Sequence, residues 1–470
     1  MLTAQARNER SEVQVLRSWT PSRKPNMNAR ALLLLTLLPT FVAAEALVLP
    51  MRERATVIDA WLETRVQTVL PDLMRRSEID MWIIISREYN EDPVIRTFLP
   101  ATWQAARRRT ILMIFDPGDG KALETLAVAR YAVGSTFEKA WDKEEHGDQW
   151  KRLADLVAER SPKRIGVNYS DTFGLSDGIS RTEYQLLSEA LSPALRGRLT
   201  SAENLAIGWL ETRSADEMTV YQNICRIAHE ILADGLSESV IQPGITTTSD
   251  VEWWYRERIR ERKLTAWFHP SVSVQRAEQP ELDMKATLAA RHDEVVIRPG
   301  DLVHVDFGIT YLRLNTDTQQ HAYILKPGET DVPEELKAAF ARGNRVQDIL
   351  TGNFVEGRTG NEILARSLEQ AKKEGITASI YTHPIGYHGH AAGPTIGMWD
   401  QQGGVPGAGD YPMYPNTAYS IELYAESPAE SWDKPIRIMR EVDAFFDGKT
   451  VRYIDGRQQT IFTIPRVESP

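Results

Sequence analysis

Four carboxylate residues in the second half of the chain stand where they could act on one substrate together. Asp306 lies in Val-His-Val-Asp-Phe-Gly, and Asp317 follows eleven residues later, a separation that suits a strand, a turn and a returning strand. Glu422 lies in an otherwise apolar run, where a lone buried carboxylate would be costly, and Glu441 lies in a second strand-like run. These positions predict that the four acids share one site.

Three imidazoles lie between the two pairs of acids, at His383, His388 and His390, among glycines that allow close backbone approach. The four negative charges of the carboxylates would balance the charge of two divalent cations, and one neutral imidazole could complete the ligand set. Such an oxygen-rich set favours Mn²⁺, with Co²⁺ or Zn²⁺ as alternatives. Two neighbouring cations can activate a water and polarise a carbonyl, so the chemistry expected is hydrolysis. A separate metal site made by the histidines alone is the competing interpretation.

Each of these residues is weak evidence when it is taken alone. An isolated Asp at a strand end is usually a turn former, and Glu441, in Arg-Glu-Val-Asp, could be a surface salt-bridge partner. A lone histidine is more often a satisfied polar residue than a ligand. The order Asp, Asp, His, Glu, Glu with these intervals is more specific than any of its members.

The composition limits the classes of protein that the chain can belong to. The 470 residues suggest two or three domains, and 42% apolar with 26% charged residues is ordinary globular composition. The 55 basic and 65 acidic side chains give a net charge of −10, which does not suit nucleic-acid binding. Cys225 is the single cysteine, so any metal must be held by carboxylates and imidazoles.

The elements that must position these residues are predicted between residues 214 and 450, and residues 451–470 are read as a C-terminal tail. Apolar residues at helical spacing predict a long helix from Met218 to Leu232, and Asp250 is expected to cap a helix that ends at Arg262. Two more helices are predicted at Pro333–Leu350 and Asn361–Glu374. The predicted strands are Leu302–Phe307, Thr417–Ala425 and Ile436–Phe446.

Residues 50–213 are predicted to form an α/β accessory domain. Apolar, β-branched runs predict strands at Met81–Ser86, Thr110–Asp116 and Arg164–Tyr169. Helices are expected between them at Gln149–Glu159 and Thr182–Leu191. This part of the sequence contains no cluster of histidines with acids and no glycine-rich phosphate loop, so the chemistry is assigned to the second half.

Residues 1–44 are interpreted as an N-terminal extension with a signal peptide. Arg23, Lys24 and Arg30 precede a twelve-residue apolar run, and small residues ending at Ala44 follow it. The run is too short to span a bilayer, so no stable membrane anchor is expected. The protein is therefore predicted to be periplasmic or secreted. An uncleaved anchor is the alternative, and a start at Met27 would remove residues 1–26.

The ordered acids and the Gly-His-Ala-Ala-Gly run that ends at Gly393 resemble the creatinase/methionine aminopeptidase superfamily, the "pita-bread" metallopeptidases of family M24. Within it, the chain is most similar to the Xaa-Pro aminopeptidases and prolidases. The resemblance implies an α+β architecture, with a C-terminal pita-bread domain preceded by a creatinase-like N-terminal α/β domain. It also implies a homodimer that acts on small peptides with proline at the second position.

The resemblance implies a role for each motif residue. The metal ligands would be Asp306, Asp317, His390, Glu422 and Glu441, and Glu422 would also accept the proton of the attacking water. His390 is preferred to His388 as the ligand, because Gly393 then falls at the family's glycine.

The remaining histidine assignments are looser. His383 or His388 would contact the substrate carbonyl. For the upstream histidine that usually contacts substrate, His292 is the nearest candidate, and His269 is the other. The family's second downstream histidine is missing, since the chain has Trp399 in that region.

The leading functional hypothesis is a metal-dependent aminopeptidase that hydrolyses the bond between an N-terminal residue and proline. Because of Trp399 and the missing histidine, a hydrolase of the same fold with a non-peptide substrate remains an alternative. A non-catalytic binding relative is a third hypothesis, which the complete set of ligand positions disfavours. Aminopeptidase and dipeptidase preference are left open.

Overall fold

A computed structural model describes residues 48–278 and 294–466, and these residues belong to one structural unit. The predicted signal peptide and cleavage site at residues 31–44, and the candidate histidine His292, lie outside the described residues. Within those residues no helix has the length and apolar character needed to cross a membrane.

The first half of the described chain is an α/β region with a six-stranded sheet. Its helices are α1 (Met51–Thr68), α2 (Leu70–Arg76), α3 (Ile95–Phe98), α4 (Lys143–His146), α5 (Gln149–Arg160), α6 (Arg181–Ala190), α7 (Pro193–Arg196) and α8 (Glu203–Glu211). Its strands are β1 (Met81–Arg87), β2 (Arg109–Phe115), β3 (Glu124–Ala127), β4 (Glu138–Lys139), β5 (Ile165–Val167) and β6 (Leu199–Ser201). The three strands and two helices predicted here are confirmed within a few residues at each end.

The sheet has the order β4-β3-β2-β1-β5-β6. β1 lies at its centre because Met-Trp-Ile-Ile-Ile-Ser is apolar on both faces, and each of these six residues is buried. Two separate apolar clusters cover the two faces of the sheet; one contains Trp82 and Ile84, and the other Ile83 and Ile85. The alternation of neighbouring residues between the clusters follows from the two-residue period of a strand.

The second half mixes long helices with several small sheets. Its helices are α9 (Ala215–Gly235), α10 (Thr248–Glu261), α11 (Glu334–Gly352) and α12 (Gly360–Lys373). Its strands are β7 (Ser271–Gln275), β8 (Leu302–Phe307), β9 (Thr310–Tyr311), β10 (Leu314–Asn315), β11 (Thr318–Ile324), β12 (Thr377–Ile380), β13 (His383–Pro384), β14 (Thr417–Ser420), β15 (Leu423–Ser427), β16 (Ile436–Arg440), β17 (Asp443–Phe446), β18 (Val451–Tyr453) and β19 (Phe462–Ile464).

The strands of the second half form sheets in the orders β19-β11-β8-β7, β12-β15-β16 and β13-β14-β17-β18, with β9 and β10 as a separate pair. Residues 451–466, which the sequence suggested as a tail, are part of these sheets. β18 pairs with β17, and β19 lies parallel to β11. The apolar side chains of Ile454, Ile461 and Ile464 are buried there, which explains why this segment folds onto the domain.

The start of α10 differs from the prediction. Thr247 is the N-cap, and Asp250 stands at the third helical position, where its carboxylate accepts a hydrogen bond from the Thr247 backbone N–H. The two residues therefore form a capping box, in which each side chain satisfies the other's backbone donor. Helix α9 begins with the same arrangement, made by Ser214 and Glu217.

A buried carboxylate, Glu211 at the end of α8, lies next to Gly393 of the histidine loop. Its Oε1 accepts a hydrogen bond from the Tyr411 hydroxyl at 3.2 Å and lies 3.7 Å from a nitrogen of Arg76. Its Oε2 is buried and has no hydrogen-bond partner among the described residues. Burial raises the pKa of Glu211 to about 8, although Arg76 opposes the shift.

Glu211 is expected to make the stability of the protein depend on pH. The folded state holds a proton on Glu211 up to about pH 8, whereas the unfolded chain releases it near 4.5, so the free energy of unfolding falls as the pH rises between these values. Thermal unfolding should show Glu211→Gln gaining stability over the wild type, by up to about 4 kcal/mol, between about pH 5 and about pH 8.5. Glu53→Gln, on the exposed start of α1, is the control, and parallel pH profiles for E211Q and wild type would contradict the expectation.

Candidate metal centre

The first two acids are brought together by an antiparallel strand pair. Asp306 lies in β8, Asp317 stands immediately before β11, and Gln319 of β11 pairs with Asp306 in the register of the two strands. The short strands β9 and β10 lie between them in sequence. The predicted strand, turn and returning strand are confirmed, and this arrangement places both aspartates on the same side of the site.

The two glutamates lie at breaks between strands, where continuous strands were predicted. Glu422 separates β14 from β15, and Glu441 separates β16 from β17. At each break the chain leaves one sheet and enters another, since β14 and β17 pair in one sheet and β15 and β16 pair in the other. A carboxylate at such a crossing is released from the alternation of a strand and can face the interior between the sheets.

His383 is the imidazole that lies deepest among the acids. It lies in β13, which pairs with β14 opposite Ser420. Its Nε2 is 3.8 Å from an oxygen of Asp317 and 3.8 Å from an oxygen of Glu441. The ring of His390 lies 4.7 Å from that of His383, centroid to centroid, and is exposed. The spacing to Gly393 predicted His390 as the ligand, and the geometry adds His383 beside it.

The side chains form three overlapping groups. Within each group, every residue offers one oxygen or nitrogen atom, and these atoms lie within 4.8 Å of one another. The groups are Asp317 with His383 and His390, then His383 with Glu422 and Glu441, and then Asp306 with Asp317 and Glu441. Asp317, His383 and Glu441 each belong to two groups. The structure thus brings together all five predicted ligands, together with His383.

The carboxylates repel one another, and burial disfavours their charged forms further. Burial raises the pKa of Asp306 well above its usual value, and the nearby Glu441 raises it further. Burial and Glu441 raise the pKa of Asp317 in the same way, with smaller effects from the other acids. Burial, Glu441 and Asp306 also raise the pKa of Glu422 well above its usual value. This concentration of acidic groups is typical of a site that binds a cation.

The unpaired polar atoms of the cluster fit a divalent cation. Oδ1 of Asp306, Oδ1 of Asp317 and Nε2 of His383 are buried and have no hydrogen-bond partner in the described part of the chain. Buried polar atoms are normally satisfied, so three such atoms within one cluster need an explanation. Carboxylate oxygens with imidazole nitrogen are ligands for Mn²⁺, Co²⁺ and Zn²⁺, and the observed set meets that requirement.

Three residues that were not predicted from the sequence make hydrogen bonds to the acids of the cluster. The amide nitrogen of Gln319 donates to Glu422 Oε1 at 3.1 Å and to Glu441 Oε2 at 2.8 Å. The Ser420 hydroxyl donates to Glu441 Oε1 at 2.7 Å. Asp443 accepts hydrogen bonds from the backbone N–H of Asp317 at 3.2 and 3.3 Å. These contacts fix the carboxylates in place, as the second layer of a metal site does.

Aromatic residues surround His390 at the open side of the cluster. Trp267 lies 5.3 Å and Tyr381 5.9 Å from the His390 ring, centroid to centroid. A side chain at residue 389 would clash with Trp267, because a Cβ at Gly389 would lie 2.4 Å from the indole ring. The glycine therefore lets the indole reach the site. Partial desolvation of the ring, with His383 nearby, lowers the pKa of His390 to about 4, so its ring is neutral at neutral pH.

The other histidine candidates lie apart from the acids. His388 belongs to none of the three groups, and burial lowers its pKa to about 4, with Arg96 adding to the effect. His269 is turned towards α10, where it lies 3.7 Å from Glu252. His292 lies outside the described residues. Tyr381 and Trp267 are functional neighbours that no sequence motif marked.

The histidine loop is anchored to the first half of the chain by a buried ionic network. Glu217 accepts from Arg65 at 2.8 Å and from Arg213 at 3.4 Å, and both ion pairs are fully buried. The Tyr387 hydroxyl, between His383 and His388 in sequence, donates to the same carboxylate at 3.0 Å. A buried pair with several hydrogen bonds can fix a geometry, and here it holds the loop that carries His383 and His390.

Binding of a divalent cation is expected to stabilise the folded protein. A cation would offset the repulsion among the carboxylates and would bind the folded state alone, since the ligands come from distant parts of the sequence. Adding Mn²⁺ at about 100 times its dissociation constant should raise the free energy of unfolding by about 2.7 kcal/mol, measured by thermal or chemical unfolding. The Asp306→Ala variant should lose most of this gain in stability. If Mn²⁺ stabilises the variant as much as the wild type, the cation does not bind at this cluster.

The second half of the chain matches a known protein family in sequence. Residues 220–453 match Metallopeptidase family M24. The chain contains an M24 metallopeptidase domain. The matched range includes every acid and histidine of the cluster. None of the curated proteins matches the chain significantly in sequence.

Solved structures of similar fold cover most of the chain. An X-Pro aminopeptidase from Thermotoga maritima matches with a TM-score of 0.57 and 18% identity, over 83% of this chain and 99% of that one. An Xaa-Pro dipeptidase from Bacillus anthracis matches with a TM-score of 0.53 and 17% identity, over 88% of this chain and 100% of that one. A prolidase from Pyrococcus horikoshii matches with a TM-score of 0.52 and 14% identity, over 87% of this chain and 100% of that one. The predicted fold, a pita-bread domain preceded by a creatinase-like α/β domain, is confirmed.

Proposed function

We propose that this M24 protein is an aminopeptidase or dipeptidase that hydrolyses the bond between an N-terminal residue and proline. The observation that carries the proposal is the convergence of four carboxylates and two imidazoles at one buried, open-sided cluster within the matched domain. The structures of similar fold carry X-Pro aminopeptidase, Xaa-Pro dipeptidase and prolidase names, which supports the same substrate class.

Two divalent cations, with Mn²⁺ preferred and Co²⁺ or Zn²⁺ as alternatives, are the proposed cofactors. Asp306, Asp317, His383, Glu422 and Glu441 are the proposed ligands, which replaces His390 by the deeper His383. When bound, such cations supply Lewis acidity that polarises a peptide carbonyl and makes water more acidic. The ligands need second-layer support to keep their orientation, and Gln319, Ser420 and Asp443 provide it.

Glu422 is the proposed proton acceptor for the attacking water. One of its oxygens accepts the Gln319 amide at 3.1 Å. The side chain is half-buried, whereas Asp317 and Glu441 are buried, so Glu422 is better placed to exchange a proton with substrate. A carboxylate that takes the proton of water and returns it to the leaving amine acts as general base and then as general acid.

His390 is proposed to contact the substrate rather than to complete the ligand set. It lies at the exposed side of the cluster, next to His383, and so within reach of an incoming peptide. A neutral imidazole can donate one N–H to the carbonyl oxygen as negative charge develops there. His390 thereby supplies the second histidine whose absence from the sequence pattern had suggested a non-peptide substrate.

Trp267 is proposed as one wall of the proline pocket. Its indole N–H donates to the Thr316 carbonyl at 2.9 Å, which fixes the ring next to His390. Proline is an apolar ring that packs well on aromatic faces, and its tertiary amide offers no N–H that would have to be satisfied. The aromatic surface beside the hydrogen-bonding groups suits a bond that precedes proline.

A peptide panel tests the proposed function. Metal-free protein reconstituted with Mn²⁺ should release the first residue from Xaa-Pro dipeptides or longer Xaa-Pro peptides, and should leave matched Xaa-Ala peptides intact. The length dependence will distinguish dipeptidase from aminopeptidase. Turnover of Xaa-Ala at the same rate, or no turnover of any Xaa-Pro peptide by protein that binds Mn²⁺, would contradict the proposal.

Export and dimer formation are further parts of the proposal, supported by the sequence pattern around residues 23–44 and by the family resemblance. If the chain is exported, mass spectrometry of the secreted or periplasmic protein should find an N-terminus near Glu45; a chain that retains Met1 or Met27 would contradict export with cleavage. Light scattering of the purified protein should give twice the mass of one chain.

A further inference from the structure

A cavity in the first half of the chain is lined by arginines. It has a volume of about 550 Å³ and lies where β1 ends and β2 begins. Its five basic residues, which define the arginine pocket, are Arg87, Arg107, Arg108, Arg109 and Arg130. No acidic residue is among the described residues that line it. On a chain whose net charge is −10, such a concentration of cations is not a consequence of composition.

The arginine pocket keeps a surplus of positive charge after its ion pairs are counted. Buried Glu183 lies between Arg87 at 3.2 Å and Arg109 at 2.8 Å, and so neutralises one of the two. Arg108 pairs with Glu88 at 3.0 Å on the exposed rim. Two carboxylates against five guanidinium groups leave three positive charges.

Of the five arginines in the pocket, Arg107 and Arg130 have no carboxylate partner in the described part of the chain, and both are exposed. The guanidinium carbon of Arg107 lies 4.3 Å from the ring centroid of Trp103 and 5.5 Å from that of Tyr131. That of Arg130 lies 5.9 Å from the ring of Trp141. Stacking on an aromatic face orients a guanidinium group and leaves its N–H edge free for a ligand.

The shape of the cavity indicates the size of the ligand. A volume of about 550 Å³ lies within the range of small-molecule sites, whereas nucleic acids and membranes bind to extended basic surfaces. Guanidinium groups match the paired oxygens of phosphate groups, and three surplus charges suit a ligand with more than one negative charge. Tyr131 and Trp141 add aromatic surface to the wall.

We propose that the arginine pocket binds a small phosphate compound with at least two negative charges, such as a pyrophosphate or a diphosphate ester. The pocket shares no lining residue with the candidate metal centre, so this binding is independent of the proposed peptidase activity. Arg107 and Arg130 supply the two unpaired cations, while Glu183 holds Arg87 and Arg109 in place behind them.

Calorimetric titration with inorganic pyrophosphate tests the proposal. The full chain is used metal-free and dialysed to remove chelator, because a bound metal ion would itself bind pyrophosphate. Wild-type protein should bind pyrophosphate saturably and more tightly than inorganic phosphate. The double variant Arg107→Gln, Arg130→Gln should bind at least about tenfold more weakly, since two charge-assisted contacts are lost.

The matched control is the double variant Arg52→Gln, Arg342→Gln, which removes two exposed arginines outside the pocket and changes the net charge equally. It should bind pyrophosphate as the wild type does. Equal weakening in both double variants would show a general charge effect and overturn the proposal. Absence of saturable binding to the wild type would overturn it as well, and neither result bears on peptide hydrolysis.

Discussion

Glu441→Gln should reduce release of the residue before proline by at least about 10³-fold, while the metal-free protein becomes more stable. Glu441 belongs to two of the three ligand groups, and its charge raises the pKa of Asp306, Asp317 and Glu422. Glutamine keeps the shape of the side chain but removes the negative charge that a cation needs. Loss of that charge also removes a source of repulsion from the metal-free cluster.

The opposite signs of these two effects make the experiment informative. Activity on an Xaa-Pro peptide, bound Mn²⁺ and thermal stability without metal are measured on the same preparations. Glu426→Gln is the matched control, because this residue lies in the neighbouring strand β15 and pairs with Arg437 instead of the cluster. Activity of the E441Q variant within tenfold of the wild type, or a loss of metal-free stability, would contradict the role assigned to Glu441.

The second large effect separates the two histidines that lie side by side. His383→Ala should lose both Mn²⁺ binding and hydrolysis, because the ring lies 3.8 Å from Asp317 and from Glu441. His390→Ala should keep Mn²⁺ affinity within about threefold and lose about 10²–10⁴-fold in kcat, since its ring is exposed and is proposed to contact the substrate. Calorimetry for metal and steady-state kinetics for peptide give the two readouts.

The histidine pair has a simple control and a clear contrary result. His146→Ala changes a histidine of α4 that lies far along the sequence from the cluster, and it should alter neither readout. If His390→Ala abolishes metal binding while His383→Ala keeps it, the assignment proposed here is reversed and the one suggested by the Gly393 spacing is correct. If neither variant affects metal binding, the imidazoles are not ligands.

The sequence predicted the strand pair that carries the aspartates because that part of the site is local. Asp306 lies in β8 and Asp317 stands directly before the antiparallel neighbour β11, with only the short β9 and β10 pair between them, and such local strand pairs leave a readable pattern of apolar runs. The helices α11 and α12 were predicted within two residues for the same reason. These elements need no information from distant parts of the chain.

The glutamates and histidines could be identified as candidates but could not be placed. Thr417–Ala425 and Ile436–Phe446 read as single strands, because a break at which a chain passes between sheets has no signature in apolar periodicity. The segment from His383 to Gly393 has almost no regular structure, so the direction of each ring depends on tertiary contacts such as that of Tyr387 with Glu217. The ligand preference for His390 rested on spacing alone.

The supporting residues were missed because the sequence of a polar strand does not indicate which residues its side chains contact. Gln319 lies in the run Thr-Gln-Gln-His, which reads as an ordinary strand with hydrogen-bonding side chains. Asp443 lies two residues after Glu441, in a run that resembled surface charge, and yet Arg440, Glu441 and Asp443 are all buried. Burial of such residues is decided by sheets that meet from distant parts of the sequence.

The central claim is that the buried acids and His383 form a metal centre that hydrolyses the bond before proline. Titration of the metal-free protein with Mn²⁺ tests it most directly, with bound metal and release of the residue before proline measured on the same samples. We expect two bound ions per chain, activity that appears as they bind, and cleavage of Xaa-Pro but not Xaa-Ala peptides. Saturation of these sites without any hydrolysis of Xaa-Pro peptides, or hydrolysis that persists without metal, would contradict it.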